Sequence, residues 1–412
     1  MYRPRGFRRI VVAVLLIAVG LGLWVRDFSR PAATNSARSV NTALEVPPPS
    51  TITVPVAANK AESTDDSHVT VIDVCGMGKV TVDRDDLSAA SQSIFRTDAS
   101  IRNRWLSGML QSGDPRIRAT GLLLENKIGD EDFNKPRSVE SVNSLVTSAV
   151  DSKDPWIYAL AVQECMPRGV KSPGGACEQI SLENWANMDR DNAVPWLALA
   201  SKAHNSGDTT AEYAAYAQAA KAKVFNSDTL SLMSYAEPAL PEDTTPLQRY
   251  TLLARLIGAE SASPLGQVSA LSRHCSVETA SDETLRSQCS ALAELLVTKA
   301  SSLIEAMIGT SIGARMGWPE ERLTALRDRY DAFKQVNLEV SAQLPQDMWS
   351  CNVIARGNEF TNAWARLGEM GALEERLARS EKPIPELAQE YRASVDLMMR
   401  QVQASVALKP SK

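Results

Sequence analysis

From about Asp85 to the C-terminus, apolar residues recur at three- and four-residue steps, the pattern of amphipathic helices that each bury one face. The pattern is clearest where Leu285, Cys289, Leu292, Leu295, Leu296, Leu303, Ile304, Met307 and Ile308 make one long stripe. Pro319 opens a further helix over Glu320–Gln343, with Leu323, Leu326, Tyr330, Phe333 and Val336 on one side. A short helix is expected over Leu247–Ile257, a longer one from about Met348 to Ala378, and a last one from Pro385 through Val406. Gly357, Gly368 and Gly371 are candidate interruptions of the longer one. Stripes of this kind bury one another in a bundle, and Pro238, Pro241 and Pro246 set its start, so residues 238–412 read as a C-terminal helical bundle. A different rhythm precedes the helices. Val69–Val74 and Lys79–Val82 are β-branched runs flanking Cys75-Gly76-Met77-Gly78, which predicts a small β-hairpin within residues 67–84. The fold class is all-α, with that hairpin as its one sheet.

Residues 85–237 carry a weak internal repeat. Asp114-Pro115, Asp154-Pro155 and the segment Asp191 to Pro195 each lead into an apolar helical run, and the aspartates fall 40 and 37 residues apart. Asp before Pro starts a helix, because the carboxylate caps free N–H groups and proline needs no donor in the first turn. A period of this length, with two helices per unit, predicts an α-solenoid-like stack. In the third unit Trp196 to Ala200, Ala203, Gly207-Asp208, Tyr216 and Ala219 fall in register, and residues 189–222 resemble a tetratricopeptide repeat. Glu212 departs from the family pattern, which has alanine there. The resemblance implies a scaffold that binds protein or peptide segments, with Trp196 and Tyr216 as the candidate partner surface.

The N-terminus addresses location. Arg3, Arg5, Arg8 and Arg9 precede Ile10–Val25, sixteen residues without a charge. That run would make a helix of roughly 24 Å, slightly short of a hydrocarbon core, with Arg9, Trp24 and Arg26 suited to the two interfaces. Residues 1–9 read as a cytoplasmic stub, 10–26 as a retained transmembrane anchor and 27–66 as a Pro/Ser/Thr/Ala-rich disordered linker. A cleaved signal peptide is the competing reading, although the first small-residue site, Ala32-Ala33, comes late and after charge. Either way the bulk is expected beyond a membrane, and a single-pass inner-membrane protein with a periplasmic body is the leading expectation. The layout is similar to that of membrane-anchored envelope proteins of Gram-negative bacteria, which implies a compartment and no activity.

Charge and chemistry narrow the function classes. Residues 1–30 carry a net +5, and the remaining 38 basic and 48 acidic residues leave −10. An acidic body lacks the counterion-release drive for nucleic-acid binding, so no nucleic-acid partner is expected. Six cysteines, all beyond the apolar run, imply disulfides, and six allow fifteen pairings. Cys165 with Cys177 and Cys275 with Cys289 each bracket a loop of about a dozen residues. Cys75 and Cys351 remain as a pair by elimination. The three histidines, His68, His204 and His274, form no metal-ligand spacing, and His274-Cys275 with Cys289 lacks a fourth ligand. No nucleophile elbow, zincin helix or phosphate loop occurs, and Glu320-Glu321 and Glu374-Glu375 fit solvated helix faces. No catalytic, cofactor-binding or metal-binding residue is expected. The leading function is a membrane-tethered, non-enzymatic scaffold that docks another envelope protein or peptide segment. The alternative is a hydrolase acting on cell-wall glycan through an acidic pair that only the fold brings together.

Overall fold

Asp-Pro pairs and hydroxyl caps set the helix starts in this chain. The computed structural model describes residues 69–83, 99–128, 138–166, 175–227, 232–261, 266–339 and 349–407. The expected stub, anchor and linker lie outside the described residues. Among the described residues no helix is long and apolar enough to cross a membrane. One compact unit contains Val71–Val80 and Ala90–Lys412, so the boundary expected at residue 238 falls inside it. The outer ends of the two strands group with a second unit, most of which lies outside the described residues.

Strands β1 (Val69–Val74) and β2 (Gly78–Asp83) form the two-stranded sheet. Alternation along β1 buries Ile72 and Val74 and exposes Val71 and Asp73. Gly76 and Gly78 take positive φ on either side of Met77, whose N–H closes the turn on the Val74 carbonyl at 2.9 Å.

Seven helices follow: α1 (Ala99–Leu110), α2 (Pro115–Ile128), α3 (Val139–Ser152), α4 (Pro155–Cys165), α5 (Leu182–Met188), α6 (Ala193–Ser206) and α7 (Thr209–Ala219). Each packs on its successor. Asp114 accepts from the Arg116 N–H at 2.8 Å, and Asp154 accepts from the Trp156 N–H at 2.9 Å. In the third unit the cap is Asn192, not Asp191: its Oδ1 accepts from the Val194 N–H at 3.2 Å. Asp191 faces outward and pairs with Lys223. Arg116 joins two of the units, donating to the capping carboxylate Asp154 at 2.6 Å and to the Tyr235 hydroxyl at 2.6 Å. Between α6 and α7, Gly207 takes φ +74° and Asp208 caps the Ala211 N–H at 3.0 Å.

The chain then returns. Helix α8 (Leu232–Ala236) lies against α2, and the fully buried Trp105 of α1 donates its indole N–H to the Ala236 carbonyl at 2.8 Å. Helices α9 (Pro246–Ser261) and α10 (Gly266–His274) lead to α11 (Glu283–Lys299), α12 (Leu303–Arg315), α13 (Glu320–Leu338), α14 (Cys351–Arg379) and α15 (Ile384–Ala407). Helix α14 covers α8 and α9, α10 lies on α6, and α13 holds α12, α14 and α15. One hydrophobic cluster therefore runs from Ile101 to Ala372.

Two of the expected helices are not single rods. The stripe from Leu285 to Ile308 breaks at Ala300–Ser302, where Ser302 caps the Glu305 N–H and the Glu305 carboxylate caps Ser302 in return, a reciprocal start signal that outranks the continuing apolar period. Helix α14 turns at Gly368, with φ +73° and ψ 175°. Beyond that turn it folds back: Arg376 Nη2 donates to the Arg356 carbonyl at 3.4 Å, and the Arg376 guanidinium lies 4.1 Å from the Phe360 ring centre. Twenty residues of straight helix would separate Arg356 from Arg376 by roughly 30 Å.

Candidate functional site

The six cysteines form three bonds, Cys165–Cys177, Cys275–Cys289 and Cys75–Cys351, with Cα separations of 5.3, 5.6 and 4.6 Å. Cys165, Cys177, Cys275 and Cys289 are buried. Cys351, the first residue of α14, is exposed.

The two residues expected to meet a partner do not share an open groove. Tyr216 is 1% exposed, because α10 of the same chain lies over the α6–α7 pair and its last residue, His274, stacks on the Tyr216 ring. The ring centres are 3.6 Å apart and 12° from parallel. Tyr216 therefore offers no open surface, and the exposed ring of this pair is Tyr213, one turn earlier on α7. Tyr213 is 48% exposed and sits edge-on to His274 at 5.5 Å. Trp196 is half-buried against the main cluster, and its indole N–H donates to the Arg190 carbonyl at 3.1 Å.

Around His274 the chain assembles its most distinctive polar cluster. Glu212, on the first turn of α7, lies 3.2 Å from His204 Nδ1, and its charge also acts on His274 and on Tyr216. One carboxylate therefore serves both described histidines, which are 70 positions apart in the chain. Burial holds the His274 pKa below the ordinary histidine range, with the Glu212 charge opposing it. Burial likewise raises the Tyr216 phenol, with Glu212 adding to the rise and Arg273 opposing it. The Nε2 of His274 is buried and has no hydrogen-bond partner among the described residues.

The ring is held in place from its own end of α10. Arg315 donates to the Ser272 carbonyl at 2.7 Å, the Cys275 carbonyl at 2.9 Å and the Ser272 hydroxyl at 3.1 Å. Cys275, directly after His274, is bonded to Cys289 of α11. Two residues beyond Cys275, Val277 is 58% exposed. Tyr213, edge-on to His274, and Val277, three residues beyond His274 in the chain, are both exposed. The sequence marked Glu212 only as a departure from the repeat pattern and His274 only as an incomplete metal-ligand set, and did not bring the two together. The available signals were the Tyr213/Tyr216 spacing, which puts both rings on one helix face, and the departure at Glu212 from the family pattern.

Two glutamates act on each other at the N-terminus of α12. Glu305 is fully buried, and its Oε2 accepts from the Ser301 and Ser302 N–H groups at 3.1 Å each and from the Ser301 hydroxyl at 3.0 Å. Its Oε1 has no hydrogen-bond partner among the described residues. Glu369, next to the Gly368 turn, accepts from the Leu303 N–H, and burial together with the Glu305 charge pushes its carboxyl up to about 7. The nearby cleft between the two arms of α14, lined by Glu359, Phe360, Glu375 and Arg376 among others, has a volume of about 20 Å³. That is room for a water and not for a sugar ring. Burial drives Arg376 in that cleft down to about 10. Among the described residues, no cluster of three or more His, Cys, Asp or Glu could hold a metal.

No family model matches the chain, and comparisons with curated proteins and with solved structures find no match.

Proposed function

We propose that this protein is a membrane-tethered scaffold that docks an apolar segment of another protein on the surface between α7 and the residues after α10. The observation that carries the proposal is the exposed Tyr213 ring edge-on to the fixed Tyr216–His274 stack, with Val277, exposed three residues after His274, as the second apolar residue. An exposed ring on a rigid base loses little rotamer entropy on binding, which is why aromatic residues serve as anchors at interfaces. The disulfide and the Arg315 contacts to the end of α10 support the same reading, since they hold the base rigid before any partner arrives. The tetratricopeptide resemblance of residues 189–222 supports a docking role. Its expected groove is occupied by α10, which moves the proposed surface to the outer edge of the pair. The apolar run at residues 10–25 and the three disulfides support a tethered body in an oxidising compartment.

The test uses tagged full-length protein with a photo-crosslinking residue at position 213, irradiated in cells, then solubilised and analysed by mass spectrometry. The expected result is one near-stoichiometric membrane or envelope partner. That partner should be lost when Val277→Asp is added, while Leu397→Asp, on α15, leaves it in place. Equal recovery from the Val277→Asp protein, or no crosslinked partner at all, overturns the proposal.

A further inference from the structure

The three disulfides differ in how they meet solvent. Those of Cys165 with Cys177 and Cys275 with Cys289 are buried, at 0 to 6% exposure. In the third, Cys351 is exposed and Cys75 is partly exposed, beside the exposed turn residues Gly76, Met77 and Gly78. Its two sulfurs are also unlike each other. Cys351 is the first residue of α14, behind the cap Ser350, whose hydroxyl accepts from the Val353 N–H at 3.4 Å. A thiolate there faces the positive end of the helix dipole, which lowers the pKa of a cysteine. Cys75 directly follows β1 and belongs to no helix, so it meets the end of α14 from outside and not as a residue of its first turn.

We propose that Cys75–Cys351 is a thiol–disulfide exchange site, opened by a dithiol reductant that attacks the sulfur of Cys75. The better leaving group is the thiol of lower pKa, so attack at Cys75 expels Cys351 as the thiolate. The first step forms a mixed disulfide between the reductant and Cys75 and breaks the Cys75–Cys351 bond. In the second, the remaining thiol of the reductant attacks its own sulfur in the mixed disulfide and releases Cys75. The reductant leaves as a disulfide, its two electrons reside on Cys75 and Cys351, and its two protons end on their thiols. The buried bridges keep the helices joined throughout.

The bond also governs how the hairpin is held. Among the described contacts, the hairpin is tied to the segment before α14 by this disulfide and by the Cys75 N–H, which donates to the Trp349 carbonyl at 2.9 Å. Opening the bridge removes the covalent part of that tie and leaves the Cys75–Trp349 hydrogen bond and the burial of Ile72 and Val74. The hairpin directly follows residues 27–66 in the chain, so the redox state of this pair sets whether that stretch is covalently fastened to the start of α14.

The experiment incubates the full-length oxidised protein in detergent with graded ratios of reduced to oxidised dithiothreitol. Free thiols are then trapped with N-ethylmaleimide and assigned by peptide mass spectrometry. Cys75 and Cys351 should become labelled together at a ratio at least about tenfold less reducing than the other four cysteines require. A second arm uses glutathione, a monothiol, which should leave its adduct on Cys75 with Cys351 free. Reduction of all three bridges at one ratio, earlier reduction of either buried bridge, or a glutathione adduct confined to Cys351 would each overturn the proposal.

Discussion

Glu369 and His274 show how burial makes stability depend on pH in opposite directions at a carboxyl and at an imidazole. The folded-state carboxyl of Glu369 stands near 7, above its ordinary value of 4.5, so the native state binds this proton more tightly than the unfolded chain does. Its contribution is fully present below the unfolded value and is lost as pH rises through 7. The shift corresponds to at most about 3 kcal/mol, an upper bound because the side chain keeps a partly open edge. Glu369→Gln retains an acceptor for the Leu303 N–H and removes the charge. The variant should therefore unfold at higher urea than the parent at pH 8, with the difference vanishing at about pH 4. A variant weaker than the parent at pH 8 would refute the burial argument. His274 works the other way: its pKa is held low, so acid charges the unfolded histidine before the folded one, and stability falls as pH drops below about 6.5. Neither residue stands out in the sequence, since each is one of many glutamates or an isolated histidine until its neighbours are known.

Among the elements, starts were easier to read than continuations. Asp114 and Asp154 cap where Asp-Pro said they would, and Pro319 stands directly before α13. The third cap moved one residue, to Asn192, because the Asp191 carbonyl is taken by the Lys223 and Val224 N–H groups. The break before α12 was written in Ser302 and Glu305, but the apolar stripe running through it concealed the signal. Gly368 was named with Gly357 and Gly371 as a candidate interruption, and the turn chose only Gly368. Gly357 stays helical because a larger residue there would strike Tyr250: a Cβ would lie 2.3 Å from its ring. Gly371 likewise sits where a Cβ would meet that of Leu367 at 2.6 Å. Nothing crowds Gly368, whose need is conformational. Its φ and ψ lie where residues with a Cβ hardly go, so Gly368→Ala should cost about 1–3 kcal/mol, measurable by chemical unfolding. A cost near zero would mean that the fold-back of α14 does not depend on this residue.

Across the whole molecule, contacts distant in sequence erase the expected division at residue 238. Arg104 pairs with Asp243 at 2.8 Å, His274 stacks on Tyr216, and α14 covers α8. Because one cluster spans Ile101 to Ala372, residues 99–379 should unfold as one cooperative unit. Calorimetry of the oxidised protein should give a single transition whose calorimetric and van't Hoff enthalpies agree. Two resolved transitions would restore the division into a repeat region and a bundle.

Local chemistry settled what the chain could announce by itself: helical class, most helix starts, the hairpin, and two disulfides that short bracketed loops suggested. These depend on spacing, capping and turn residues, all of which act over a few positions. The Cys75–Cys351 pairing followed only by elimination, since nothing local relates residues 276 positions apart. Tertiary packing alone decided that Tyr216 turns inward while Tyr213 stays out, that Glu212 gathers His204 and His274, and that Glu305 and Glu369 share the start of one helix. Burial and charge at those sites are properties of neighbours brought in by the fold. A side chain's periodicity says that it lies on a face, and only the packed structure says what covers that face.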